Sequence, residues 1–135
     1  MDCSAWSRMN TGQLDKREVL SRYLNSKSAV VFTTVHLLEL LFTAPSPRQW
    51  DQDYAEFARH PVLHHTGLTH LFAIDIQHRL WHSGKTRAAG CVDVVIAAIA
   101  VQHHVTVVHY DTDFEHIKTV VPEFDHEWVA PKGTL

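Results

Sequence analysis

The chain has 135 residues, 45% of them hydrophobic and 20% charged, the balance of an ordinary globular protein with one core. Its net charge of −3 argues weakly against a broad nucleic-acid-binding surface, although acids gathered around a cation count as negative on paper. No apolar run reaches the length of a membrane span, the N-terminus lacks a signal-peptide pattern, and the two cysteines, Cys3 and Cys91, suit a reducing compartment, so the cytoplasm is expected.

The chain opens on Asp2-Cys3-Ser4-Ala5-Trp6, a segment before which something strand-like is expected. Asp15 to Leu24 has helical spacing, with Val19, Leu20, Tyr23 and Leu24 on one side. Ala29 to Phe32 reads as a short apolar strand. Thr33 or Thr34 then caps a helix whose inward stripe is Val35, Leu38 and Leu41/Phe42. Glu39 falls among leucines there, and a carboxylate in such company must face a cation, an arginine or a wet cleft. Ser46-Pro47 is an N-cap with proline at the first helical position, followed by Trp50, Tyr54 and Phe57 at helical spacing. Pro61 to Leu63 reads as a brief extended segment or turn. Gly67 to His82 is amphipathic, with Leu68, Leu71, Phe72, Ile76 and Leu80 inward and Gly84 as its stop.

The most informative stretch runs from Gly90 to Phe114. From Val92 to Val101 every residue except Asp93 is apolar, which predicts a helix buried all round, Val92 to His104. Val105 to Val108 follows as a strand covered on both faces, as in a parallel sheet. Asp93 lies in the first helical turn, where the macrodipole favours negative charge. Asp111 and Asp113 follow the strand, and in open α/β sheets the loops at carboxyl strand ends are where sites form. Phe114 to Val121 is a short helix or turn, and Glu127 to Val129 a final edge strand. Alternating strands and helices predict a three-layer α/β/α fold with a mostly parallel central sheet, in a single domain.

Asp2, Glu39, Asp93 and Asp111, with Asp113 as a fifth, stand out by their environments. Gathered without compensation they would repel one another and hold some members protonated. A hard divalent cation such as Mg²⁺ or Mn²⁺ resolves this, since it takes oxygen ligands and retains several waters. Water activated in that way attacks a phosphodiester. The twelve histidines are scattered, with no HExxH or Cys/His zinc spacing, and most read as solvated or capping residues. There is no glycine-rich phosphate loop and no GxSxG. A receiver-like domain also clusters acids on an α/β fold, but no strand-end lysine follows in the place it requires.

The chain resembles the PIN-domain ribonucleases, and among them the VapC toxins of bacterial toxin–antitoxin pairs. Asp2-Cys3-Ser4-Ala5 matches an opening D-x-S-A, and Leu38-Glu39-Leu40-Leu41 with Phe42-Thr43-Ala44 the helical glutamate motif. Arg87 to Ala100 resembles a central D-x-x-I-A-A-x-A helix, and His109 to Phe114 a terminal D-x-D-F loop. Glu127 to Pro131 looks like the tail of one VapC branch. The resemblance implies a Mg²⁺- or Mn²⁺-dependent endoribonuclease that cuts structured RNA such as tRNA or rRNA. It also implies a homodimer neutralised by a VapB-type antitoxin. In that reading Asp2, Glu39, Asp93 and Asp111 are the catalytic, metal-binding acids. Asp113 holds a second ion or orients a water, Ser4 supports Asp2, and Arg87 and Lys85 meet RNA phosphates, with Arg79 a weaker candidate. The alternative is a PIN-like module that binds antitoxin or RNA with little cleavage.

Three positions depart from the family pattern. Relatives run several strand residues ahead of the first aspartate, whereas only Met1 precedes Asp2, so a first strand cut short is expected, from a misplaced start or a damaged strand. Cys3 stands where threonine is common, and Gly90 where a basic residue is frequent.

Overall fold

In the computed structural model, residues 1–24 and 28–135 are described. Capping chemistry sets where the early helices begin. The Asp2 carboxylate accepts the Ser4 N–H and starts α1 (Cys3–Asn10), a helix absent from the sequence expectation. After α2 (Lys16–Leu24) and β1 (Phe32–Thr33), Thr33 caps α3 (Thr34–Phe42) in a reciprocal box with His36. Ser46 caps α4 (Pro47–Phe57), with proline in its first turn. Then come β2 (Val62–Leu63), α5 (Thr69–His82), α6 (Cys91–His103), β3 (Val107–His109), α7 (Asp113–Lys118) and β4 (His126–Trp128).

The strands pair in parallel, β1 with β2 and β3 with β4, as two separate two-stranded ladders. Helix α6 buries Val94 and every residue from Ile96 to Ala100, which agrees with its continuous apolar sequence. It ends one residue earlier than expected, because His104 adopts the left-handed conformation (φ 53°) that closes a helix. One core cluster joins α5, α6 and α7 through Ile76, Ile96, Phe114 and Phe124. A second joins α1 to β1 and α4 through Trp6, Phe32 and Phe57, whose rings meet edge-on at 5.3–5.6 Å.

Two helix faces differ from their expected phase. On α3 the buried side carries His36 and Leu41, while Leu38 and Phe42 are 65% and 90% exposed. On α5 the buried residues are Thr69, Ala73, Ile76 and Leu80, and Leu68 and Leu71 face outward. In both, apolar residues occupy more than one face, so the hydrophobic period does not fix which face packs. Trp50 and Tyr54 of α4 stack on each other at 5.3 Å and remain exposed.

Candidate active site

The site lies where α1, α3, α6 and the β3–α7 loop meet. Asp2 is buried, with its N–H donating to Val108 O at 2.8 Å. Its Oδ2 accepts both the N–H (2.8 Å) and the hydroxyl (2.5 Å) of Ser4, and the Ser4 Oγ in turn accepts the Tyr110 N–H at 2.9 Å. One serine thus ties the first helix to the end of β3. Burial pushes the Asp2 pKa up, but His36 and Ser4 outweigh it and hold the carboxyl below its ordinary value.

His36, one turn ahead of Glu39 on α3, is buried against Asp2. Its Nδ1 faces the Thr33 N–H at 3.3 Å, which places the ring proton on Nε2. Nε2 is aimed at Asp2 Oδ1 from 3.5 Å, a close contact too long for a strong hydrogen bond, and has no other partner among the described residues. Burial lowers the His36 pKa, so the ring is neutral. Cys3, at the threonine-like position, donates its thiol to His36 O at 3.6 Å, and burial, then the charge of Asp2, pushes that thiol far up.

Asp111 and Asp113 are held by backbone. Asp111 Oδ1 accepts the Asp113 N–H at 3.0 Å, and Asp113 Oδ2 accepts the Gly90 N–H at 2.9 Å. The second bond joins the α7 start to the α6 start, bringing the central helix to the acidic loop. Behind them His109 is fully buried, and its Nδ1 accepts the Asp111 N–H at 3.0 Å. The remaining ring proton then points at His126 Nδ1, 2.8 Å away. Burial, then His126, lowers the His109 pKa to about 4, so it is a neutral brace for the loop. His109 therefore departs from the expectation of solvated or capping histidines, whereas His36 meets it as a capping residue of α3, although a buried one.

Asp93, half-buried in the first turn of α6, feels all the other acids. Burial, followed by the charges of Asp2, Asp113, Asp111 and Glu39, raises its pKa to about 7. Among the described residues, however, no three His, Cys, Asp or Glu side chains converge closely enough to close on one ion. The donor chemistry fits a hard cation that keeps several waters and takes one or two carboxylates directly. It does not fit a closed protein cage.

Arg87 is exposed in the loop before α6 with a left-handed backbone (φ 59°), and Lys85 is half-buried two residues earlier. Neither pairs with a carboxylate among the described residues. Arg79 is engaged elsewhere, with Asp75 at 2.8 Å and Val120 O at 3.3 Å.

The glycine at position 90 has a local reason. A Cβ there would stand 2.6 Å from Asp93 Oδ2, so any side chain displaces that carboxylate. The Gly90 backbone (φ −67°, ψ 155°) itself tolerates alanine. Gly90→Ala is therefore expected to weaken Mn²⁺ binding about tenfold, the scale of disturbing a ligand's support. The melting temperature should move by no more than about 3 °C. Calorimetric titration of both proteins checks it, and equal Mn²⁺ affinities would count against Asp93 as a ligand. The bracing roles of His36 and His109 were missed from sequence, and Gly90 was noted only for lacking a basic side chain. The spacing of His36 three residues ahead of Glu39, on one helix face, was the available signal.

A PIN domain match spans residues 1–120. Ribonuclease VapC51 of Mycobacterium tuberculosis (strain ATCC 25618 / H37Rv) is 30% identical over 112 residues, covering 83% of this chain and 80% of the relative. Ribonuclease VapC18 of the same strain is 30% identical over 142 residues, covering 100% and 97%. Among solved structures, the DNA-bound VapBC of Salmonella typhimurium matches with a TM-score of 0.75 at 20% identity over 96% of each chain. VapBC2 of Rickettsia felis, bound to a promoter DNA fragment, matches at 0.74 and 15% over 93% of this chain and 94% of that one. These structures speak for the fold, the sequence relatives for descent, and the chain belongs to the PIN-domain family, in its VapC group.

Proposed function

We propose that this chain is a VapC-type endoribonuclease toxin that cuts structured RNA such as tRNA or rRNA with Mg²⁺ or Mn²⁺. The observation that carries the reading is the gathering of acids around a half-buried Asp93, where burial, followed by the charges of Asp2, Asp113, Asp111 and Glu39, raises the pKa to about 7 although the residue lies at a helix N-terminus. Asp2, Glu39, Asp93 and Asp111 would hold the cation, and Asp113 would hold a second ion or orient a water. When bound, the cation supplies an activated water and offsets charge growing on the phosphoryl oxygens. The chain's own residues prepare that step. Ser4 and His36 fix Asp2, and His109 and the Asp113 N–H fix Asp111. Arg87 and Lys85 would meet phosphates beside the cleft.

Two partners follow in this reading, a VapB-type antitoxin and a second copy of the chain. Exposed apolar residues support them: Leu38, Phe42, Trp50 and Tyr54 on the α3–α4 side, and Leu71, Ile74 and Trp81 on α5. Among the described residues no helix is long and apolar enough to cross a membrane, and the cytoplasm is the proposed location.

The absence of a closed ligand set among the described residues favours one rival, a PIN module that binds antitoxin or RNA with little cleavage. Purified protein incubated with total tRNA and rRNA separates the two. Cleavage in Mn²⁺ at discrete ends, absent in EDTA, is the expected result. Intact RNA together with no Mn²⁺-dependent rise in melting temperature supports the inert module.

A further inference from the structure

Helix α5 carries two histidines one turn apart on its solvent side. His78 and His82 stand at i and i+4, which places them one above the other on the same helix face. Their rings lie against each other, with centroids 4.1 Å apart and planes tilted by 38°. Both residues are exposed, and neither imidazole has a hydrogen-bond partner among the described residues. His109 and His126 also touch, but their facing nitrogens are bonded to each other, and His109 is bonded to the Asp111 N–H besides. His103 is bonded to His64 O at 3.1 Å. The pair on α5 is different, since its nitrogens remain open to a ligand.

The surroundings suit a cation. The pair occupies the last turns of α5, where the carbonyl end of the helix favours positive charge. Arg79, which lies between the two in sequence, is already held by Asp75 at 2.8 Å and Val120 O at 3.3 Å. The helix end is closed by the Ser83 N–H on Arg79 O at 3.0 Å and the Gly84 N–H on Trp81 O at 3.2 Å.

Two neutral imidazoles at this spacing each give one lone pair to a common ion, as the histidine pairs of helical zinc motifs do. Imidazole donors suit Zn²⁺, Ni²⁺ and Cu²⁺, whereas Mg²⁺ takes oxygen. Two protein ligands are fewer than a closed zinc site has, so water fills the remaining positions.

We propose that His78 and His82 form an open two-histidine site for a borderline divalent ion such as Zn²⁺, which staples the last turn of α5. None of Asp2, Glu39, Asp93 and Asp111 lies on that helix. The site is therefore separate from the acids in place and in donor chemistry, and none of its tests involves cleavage.

The test titrates Zn²⁺ into the full chain, with Mg²⁺ in large excess to compete for oxygen ligands, and follows the histidine rings by nuclear magnetic resonance. The His78 and His82 signals are expected to shift together, ahead of those of the other histidines. His78→Ala and His82→Ala should each weaken binding at least about tenfold. A spacing control combines Gln77→His with His78→Gln, which keeps the number of histidines but takes the pair off one face. It should lose affinity by the same factor. All three positions are exposed, so the metal-free variants should melt within about 3 °C of wild type. Zn²⁺ at about a hundred times its dissociation constant should slow amide exchange of Ser83 and Gly84 at least about tenfold. Wild-type affinity in the spacing control, or earlier shifts at other histidines, would overturn the chelate. Unchanged exchange at saturation would overturn the staple.

Discussion

Replacing Asp93 by asparagine is expected to abolish RNA cleavage, lowering kcat by at least about 10³-fold, the scale of several kcal/mol of lost charge stabilisation. The amide keeps the shape of the carboxylate, so the fold should survive. The comparison is made with purified proteins in saturating Mn²⁺, and cleavage by the variant at the wild-type rate would remove Asp93 from the site. The same substitution has an opposite signature without metal. In the unfolded chain Asp93 ionises near 3.9, whereas in the fold its pKa is raised to about 7. Between those values the folded state keeps a proton that the unfolded state has released. Stability therefore falls as pH rises through that window, and the loss is complete above about pH 7. Asparagine carries no such proton. In EDTA at pH 8, Asp93→Asn is expected to melt above the wild type, with the gap closing toward pH 4. Mn²⁺ should reverse the order by favouring the ionised carboxylate. A variant that melts below the wild type in EDTA at pH 8 would show that the acids do not crowd Asp93.

The sequence singled out the acids of the candidate site more readily than the packing around them. Asp93 was legible because one charge stood in a continuous apolar run, and Asp111 because it followed a buried strand. Both signals are local, and both survive folding. The faces of α3 and α5 were not legible, since Leu38, Phe42, Leu68 and Leu71 give the same apolar pattern whether they meet the core or a partner. His36 and His109 were hidden for another reason. A histidine reads as polar in a sequence, and it takes a tertiary contact, Asp2 for one and His126 for the other, beside the local ones with Thr33 and Asp111 to make it a buried neutral brace. The split of the sheet into two ladders was also beyond the sequence pattern, although a shortened first strand was expected from it.

Ile96→Asp is expected to prevent folding, or to cost at least about 3–5 kcal/mol, because it places an unpaired carboxylate in the middle of α6. Ile96 is 1% exposed and belongs to the cluster that joins α5, α6 and α7. The residues of that cluster are all apolar and give a carboxylate no partner, so the new charge would have to stay protonated or drag water inward. Ala97 is fully buried beside it, and Ala97→Asp adds overpacking to the same penalty. The consequence reaches the site, since the same helix that buries these residues presents Asp93 at its first turn and meets Asp113 through the Gly90 N–H. Loss of soluble protein, or a melting temperature lower by more than about 10 °C, is the expected result. Ile96→Val provides the control, with a cost of only about 1 kcal/mol. If Ile96→Asp stays soluble and melts within a few degrees of wild type, α6 does not lie at the centre of the fold. The electrostatic argument for Asp93 would then lose its physical basis, because a helix start exposed to water would not hold a carboxyl near neutrality.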